Sequence, residues 1–201
     1  MPVSQPTNIR ITTFIVLTFL TLTTSTLATS ADIEEPKYAL LDTLDEIEIR
    51  RYGPTIQAYT SMDNGGFRNL AGYIFGGNSG SEEIAMTAPV ATSIGDGDAQ
   101  MAFTLPSAWT MENLPSPDDA DVRLREMPAF TAAVITFSGW AKRGAYTKQL
   151  EQLSRVLQKQ GITTLGEPIL NQYDPPWTLP FMRRNEVMVA IEWPLTLPEE
   201  S

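Results

Sequence analysis

The sequence predicts an α+β fold, an antiparallel sheet or barrel with helices packed on its outside. Three observations carry that expectation. Most of the chain falls into short strand-like runs separated by loops rich in Gly, Pro, Ser and Asp. Only two segments show helical periodicity. Strands follow one another without an intervening helix, which favours antiparallel neighbours. The element order is β-β-β-α-β-β and then β-β-α-β-β, so the chain reads as two related halves, although no repeat of residues accompanies the order.

Runs at 38–41 and 46–52 open the series. In Glu46-Ile47-Glu48-Ile49-Arg50 the apolar and charged residues alternate, the period of a half-buried strand. Gly53-Pro54 turns the chain into a third strand at 55–61. Phe67, Leu70, Ala71 and Ile74 then recur at i, i+3, i+4 and i+7, one face of a helix over about 65–75. Asn64 is placed to cap its start and Gly76-Gly77 to end it. Strands are expected at 84–92, 100–105, 121–126 and 129–137. The clearest helix covers 142–160, with Tyr146, Leu150, Leu153, Val156 and Leu157 on one stripe and Gly161 as its stop. A Pro-rich loop at 173–181 precedes a last strand at 186–193, in which Val187, Val189 and Ile191 alternate.

Composition removes several function classes. The 201 residues include no His and no Cys. Zinc sites built from those residues, Ser-His-Asp and Cys-His nucleophile pairs, and imidazole ligation of a haem iron are therefore impossible. The net charge is −10, and no more than two basic residues adjoin. A nucleic-acid partner, which needs a basic surface to displace counterions, is not expected.

Residues 11–22 form an apolar run diluted by Thr, preceded by Arg10 and followed by the small-residue stretch Leu27-Ala28-Thr29-Ser30-Ala31. That layout reads as a signal peptide over 1–31, or as an uncleaved N-terminal anchor. The run is shorter than the ~20 apolar residues of a membrane span. The expectation is an exported protein, periplasmic or secreted, whose single functional domain covers 32–201 and which meets a membrane only through an uncleaved N-terminus.

Four segments combine into a pattern. They are Glu48-Ile49-Arg50-Arg51-Tyr52-Gly53-Pro54; Phe67-Arg68-Asn69-Leu70 running on to Ile84-Ala85-Met86-Thr87-Ala88-Pro89-Val90; Phe103-Thr104-Leu105-Pro106 with Phe137-Ser138-Gly139 downstream; and Tyr173-Asp174-Pro175-Pro176-Trp177 through Pro180-Phe181-Met182-Arg183-Arg184-Asn185-Glu186-Val187. Together they resemble the SOUL family of haem-binding proteins over about 37–192. The resemblance implies a distorted antiparallel β-barrel with two flanking helices and two pseudo-repeated halves, as in GyrI-like domains. It also implies non-covalent binding of haem or a related tetrapyrrole. Some family members carry a His just before the Tyr of the first segment as a proposed iron ligand; here that position is Arg51.

The family groove lies between the first helix and the Pro-rich loop. Its residues here would be Phe67, Arg68, Ala71 and Ile74 on the helix, and Trp177, Phe181, Met182 and Arg183 on the loop. A macrocycle needs apolar walls, and its two propionates need cations such as Arg. Phe67, Ala71 and Ile74 also fit the buried face of a helix, and Arg183-Arg184 also fit a structural pair with nearby carboxylates. Met86 and Met182 are candidate iron ligands by motif position, and core filling explains a Met there equally. Two other functions stay open. A GyrI-like small-molecule hydrolase would place a Glu with aromatic neighbours inside the cleft, whereas Glu48, Glu126 and Glu192 are expected to face water. An interaction module would use the groove for a peptide or lipid. The carboxylate doublets Glu82-Glu83 and Asp118-Asp119 read as solvated surface.

Overall fold

The computed structural model describes residues 33–63, 65–93 and 99–194. The expected leader at 1–31 and the expected helix cap Asn64 lie outside these residues.

Nine strands form one antiparallel sheet: β1 (Tyr38–Leu44), β2 (Ile47–Tyr52), β3 (Thr55–Ser61), β4 (Val90–Ser93), β5 (Gln100–Thr104), β6 (Arg123–Met127), β7 (Phe130–Phe137), β8 (Thr164–Gln172) and β9 (Asn185–Ile191). Their spatial order is β1-β2-β7-β9-β8-β4-β5-β3-β6. Helix α1 (Gly66–Ile74) packs on β3 and β5, and helix α2 (Arg143–Gln160) on β7, β8 and β9. The α+β class and the antiparallel pairing match the expectation. The barrel is incomplete: among the described residues β1 and β6 are free edges and do not pair with each other.

The two halves are visible in the topology. After β1, the orders β2-β3-α1-β4-β5 and β6-β7-α2-β8-β9 are the same. Within the sheet the first half runs β3-β5-β4 and the second β7-β9-β8, and they meet at β4 and β8. The leading strand of each half crosses over, β2 to β7 and β6 to β3.

Register then decides what each face holds. Ala58, Phe103, Val90, Gln172, Asn185 and Phe137 form one row across β3, β5, β4, β8, β9 and β7. Directly opposed side chains share a face, and so do residues two positions along each strand. Both helices cover this face. Ala58 and Phe103 pack with Leu70, Tyr73 and Ile74 of α1. Ile135, Leu170, Val187 and Val189 pack with Tyr146, Leu153 and Leu157 of α2. Each fully buried leucine here contributes roughly 1.5–3 kcal/mol of transfer free energy. The other face carries a smaller apolar cluster of Tyr52, Ala132, Val134 and Met188, with Arg50 and Glu186 buried beside it.

Two element bounds differ from expectation for physical reasons. The strand expected at 84–92 pairs only from Val90; Pro89 before it has no N–H for a ladder, and its peptide bond with Ala88 is cis. Helix α1 buries Leu70 and Ile74 of the expected stripe, together with Gly66 and Tyr73, and leaves Phe67 exposed and Ala71 partly buried. Gly66 sits so close to β3 that an added Cβ would lie 3.2 Å from the Ser61 carbonyl oxygen. The backbone of α1 therefore approaches β3 closely at Gly66, and the next residue, Phe67, is 51% exposed.

Candidate functional site

The loop between β8 and β9, residues 173–184, is held in shape by its own backbone and by two arginines. Thr178 N–H donates to the Pro175 carbonyl at 3.0 Å, and Pro180 starts a short 3-10 helix (Pro180–Met182). Gly139 N–H, in the turn after β7, donates to the Pro180 carbonyl at 2.9 Å. Arg183 Nε donates to the Thr178 carbonyl at 2.8 Å, its Nη2 donates to the Pro176 carbonyl, and its guanidinium lies 4.2 Å from the Trp140 ring centroid. The Arg184 N–H donates to the Asp174 carboxylate at 2.6 Å, while the Arg184 guanidinium stacks on Tyr173 and pairs with Glu35.

This scaffold pushes apolar side chains into solvent. Trp177 is 83% exposed, Phe181 73% and Met182 63%, with Leu179 and Trp140 also exposed. A loop whose polar groups are satisfied internally leaves these side chains as its outer surface. On α1, Phe67 is half-exposed and packs edge-on against Phe103 at 5.5 Å between centroids. Arg68 is exposed and makes no hydrogen bond or ion pair among the described residues. Phe103 and Asn185 stand in the same row three strand spacings apart, about 14 Å, with α1 packed at the β3 and β5 side of that row and the loop joining β8 to β9.

The sequence-derived residues therefore divide. Phe67, Arg68, Trp177, Phe181 and Met182 are exposed, Ala71 is partly buried, and Arg183 is half-buried, with Nη1 unbonded among the described residues. Ile74 is corrected: at 1% exposure it belongs to the core beneath α1. Met86 is partly buried against the same core, so its thioether fills space there. Arg184 is paired with Glu35, as the structural reading of that residue requires. Trp140 and Leu179 join the exposed set without having been singled out in the sequence.

The residues present suit a tetrapyrrole in two respects. Exposed aromatic side chains for a flat apolar ring are present on α1 (Phe67) and on the loop (Trp177 and Phe181), and each has an arginine near it in sequence for anionic side arms, Arg68 and Arg183. For iron, the exposed thioether of Met182 is the ligand candidate in this set.

The opposite face of the sheet holds the strongest polar cluster. Arg50 is 4% exposed and Glu186 2%. Arg50 Nη1 donates to both Glu186 carboxylate oxygens at 3.1 Å and to the Tyr52 hydroxyl at 3.2 Å, and its Nε donates to Glu48 at 2.6 Å. Tyr173 Oη donates to Glu186 at 2.6 Å. Burial works against the Arg50 charge, but its bond to Tyr52 and the Glu186 and Glu48 carboxylates outweigh it and raise the guanidinium above its usual range. Burial pushes Tyr52 up to about 12, partly opposed by Arg50. Burial, then the Glu186 charge, raises Tyr173 further. Glu186, the one deeply buried Glu among the described residues, is thus ion-paired and hydrogen-bonded. Glu126 and Glu192 face water as expected, whereas Glu48 is drawn onto Arg50.

The family described as SOUL heme-binding protein matches residues 33–190. The mouse protein named Heme-binding protein 2 is 27% identical over 177 residues, covering 77% of this chain and 84% of its own. Its human namesake is 29% identical over 129 residues, covering 57% of this chain and 62% of its own. Among solved structures, the C-terminal domain of EcmrR superposes with a TM-score of 0.55 at 12% identity, covering 77% of this chain and 98% of that domain. A longer EcmrR chain, in a DNA complex, is matched over 57% of its length. A hydrolase from Listeria innocua superposes with a TM-score of 0.52 at 9% identity, covering 73% and 92%. At these identities the structural neighbours speak for the fold alone.

Proposed function

Because this chain belongs to the SOUL heme-binding protein family, we propose that it binds haem or a related tetrapyrrole non-covalently, as an exported carrier or buffer rather than an enzyme. The observation that supports the reading is the exposed apolar set of the 173–184 loop, Trp177, Phe181 and Met182, together with the exposed Phe67 and Arg68 of α1. Burying this surface on one flat ligand removes several large apolar side chains from water at once. The bound group would supply a light-absorbing macrocycle and, in haem, an iron. The protein's own residues grip the ring, pair its carboxylates and exclude water from one side.

The binding step does not depend on histidine, since the chain has none. Affinity then comes from the ring face and the propionates, so metal-free protoporphyrin binds about as well as hemin. A Soret-band titration of the full chain with hemin tests the function. The expected result is a saturable one-to-one shift. A signal that rises without saturation means that hemin only partitions onto exposed apolar surface, and the reading fails. A strong preference for hemin over protoporphyrin assigns Met182 as an iron ligand if Met182→Leu removes it.

A further inference from the structure

A pocket of about 690 Å³ opens at the end of the sheet where β2 turns into β3, and it shares no residue with the α1 and loop surface described above. Its volume is that of a small-molecule site. Ile56 and Leu105 give it apolar walls, and Trp109, Met111 and Met127 add an aromatic face and two adaptable thioethers.

Its charge is one-sided. Glu34, Glu35, Glu112 and Glu126 line it against one cation, Lys37. Glu35 is already neutralised by Arg184, and Glu34 accepts the Ser107 N–H at 3.0 Å. Glu112 and Glu126 are exposed and have no ion-pair partner among the described residues. Hydrogen bonds to Thr110 and to its own backbone N–H hold Glu112 below the usual carboxylate range, so it stays ionised in mildly acidic solution.

We infer that this pocket binds a small organic cation, an ammonium group carried on an aromatic or branched apolar body. The apolar body fills the space between Ile56, Leu105 and Met127. The ammonium meets Glu112 and Glu126, with the half-buried Trp109 ring available for a cation–π contact. An anion of the same shape is repelled by the net negative wall. A neutral analogue keeps only the apolar contribution.

Calorimetric titration of the full chain with phenethylamine, 2-phenylethanol and 3-phenylpropionate, at low ionic strength, separates these cases. The amine is expected to bind one-to-one, the alcohol more weakly and the carboxylate not at all. Glu112→Gln and Glu126→Gln each weaken the amine by up to about fivefold, the range of a partly exposed ion pair. Both side chains are exposed, so an unchanged thermal unfolding midpoint shows that the fold is intact. Trp109→Leu lowers amine affinity again. Three probes of equal affinity, no saturable heat with the amine, or wild-type amine affinity in both carboxamide variants would overturn the assignment.

Discussion

Replacing Arg50 by methionine removes the cation that compensates Glu186, a carboxylate 2% exposed in the middle of the sheet. Methionine matches the stem in length and keeps the apolar packing, so the change isolates the charge. Glu186 would retain only the Tyr173 hydroxyl at 2.6 Å. Leaving one member of a buried pair uncompensated costs about 3–5 kcal/mol. The reciprocal change, Glu186→Gln, costs less, about 2–3 kcal/mol, because Arg50 keeps the Glu48 carboxylate at 2.6 Å and the amide oxygen still accepts from Tyr173. The double variant Arg50→Met/Glu186→Gln leaves no buried charge and recovers most of the Arg50→Met loss. Urea unfolding at pH 7, followed by far-ultraviolet circular dichroism, gives all three values and the coupling between the two sites. An Arg50→Met loss below about 1 kcal/mol, or additive costs in the double variant, would refute the claim that the pair is mutually compensating.

Alkaline titration gives a second test. Tyr52 and Tyr73 are each raised to about 12, chiefly by burial, and Tyr173 is raised in the same sense. A raised tyrosine favours the protonated, folded form, so its contribution is complete below the unfolded value near 10 and is lost as pH climbs from about 10 through 12. Two pH units correspond to about 3 kcal/mol for each buried tyrosine, and a stability profile flat to pH 11.5 would contradict the burial argument. At the end of α1, Gly77→Ala places a Cβ 2.7 Å from the Gly72 carbonyl oxygen. Backbone must move there, so a loss of roughly 1–3 kcal/mol is expected, read as a lower urea midpoint, while Gly53→Ala, whose Cβ meets nothing within 4 Å, serves as the control.

How much of this was legible in the sequence depended on which signal each residue sent. Strand alternation at Ile47, Ile49, Val187, Val189 and Ile191 placed those side chains correctly in one core, because a period of two needs no tertiary information. The repeated order of halves was readable, and the sheet turned it into two equivalent strand triplets. On α1 the periodicity placed Leu70 and Ile74 correctly in the core but also put Phe67 there, whereas the close approach to β3 is made by Gly66, which has no side chain to signal it. Glu186 was missed for a related reason. A charged residue opposite a line of valines reads as facing water, but β9 is a central strand, with α2 on one face and Tyr52, Tyr173 and Met188 on the other. Its partner Arg50 lies 136 residues away, a pairing that single-chain periodicity does not reveal. Strand β8 had no bounds in the sequence because Gly166 and Pro168 interrupt it, and its pairing with β9 shifts register at that point. The pocket near Trp109 left no sequence signal, since its lining comes from five separate stretches of chain.

The central claim is that the exposed face of the 173–184 loop is a binding surface rather than a structural element. Hemin titration of Trp177→Ala and Phe181→Ala, beside the unmodified chain, tests it most directly. Both side chains are mostly solvent-exposed, so each substitution should leave unfolding within about 0.5 kcal/mol of the parent. The account predicts that hemin affinity nevertheless falls at least about tenfold in each, the loss of one aromatic contact with the ring. Unchanged affinity in both variants, with saturable binding retained, would place the tetrapyrrole elsewhere and contradict it.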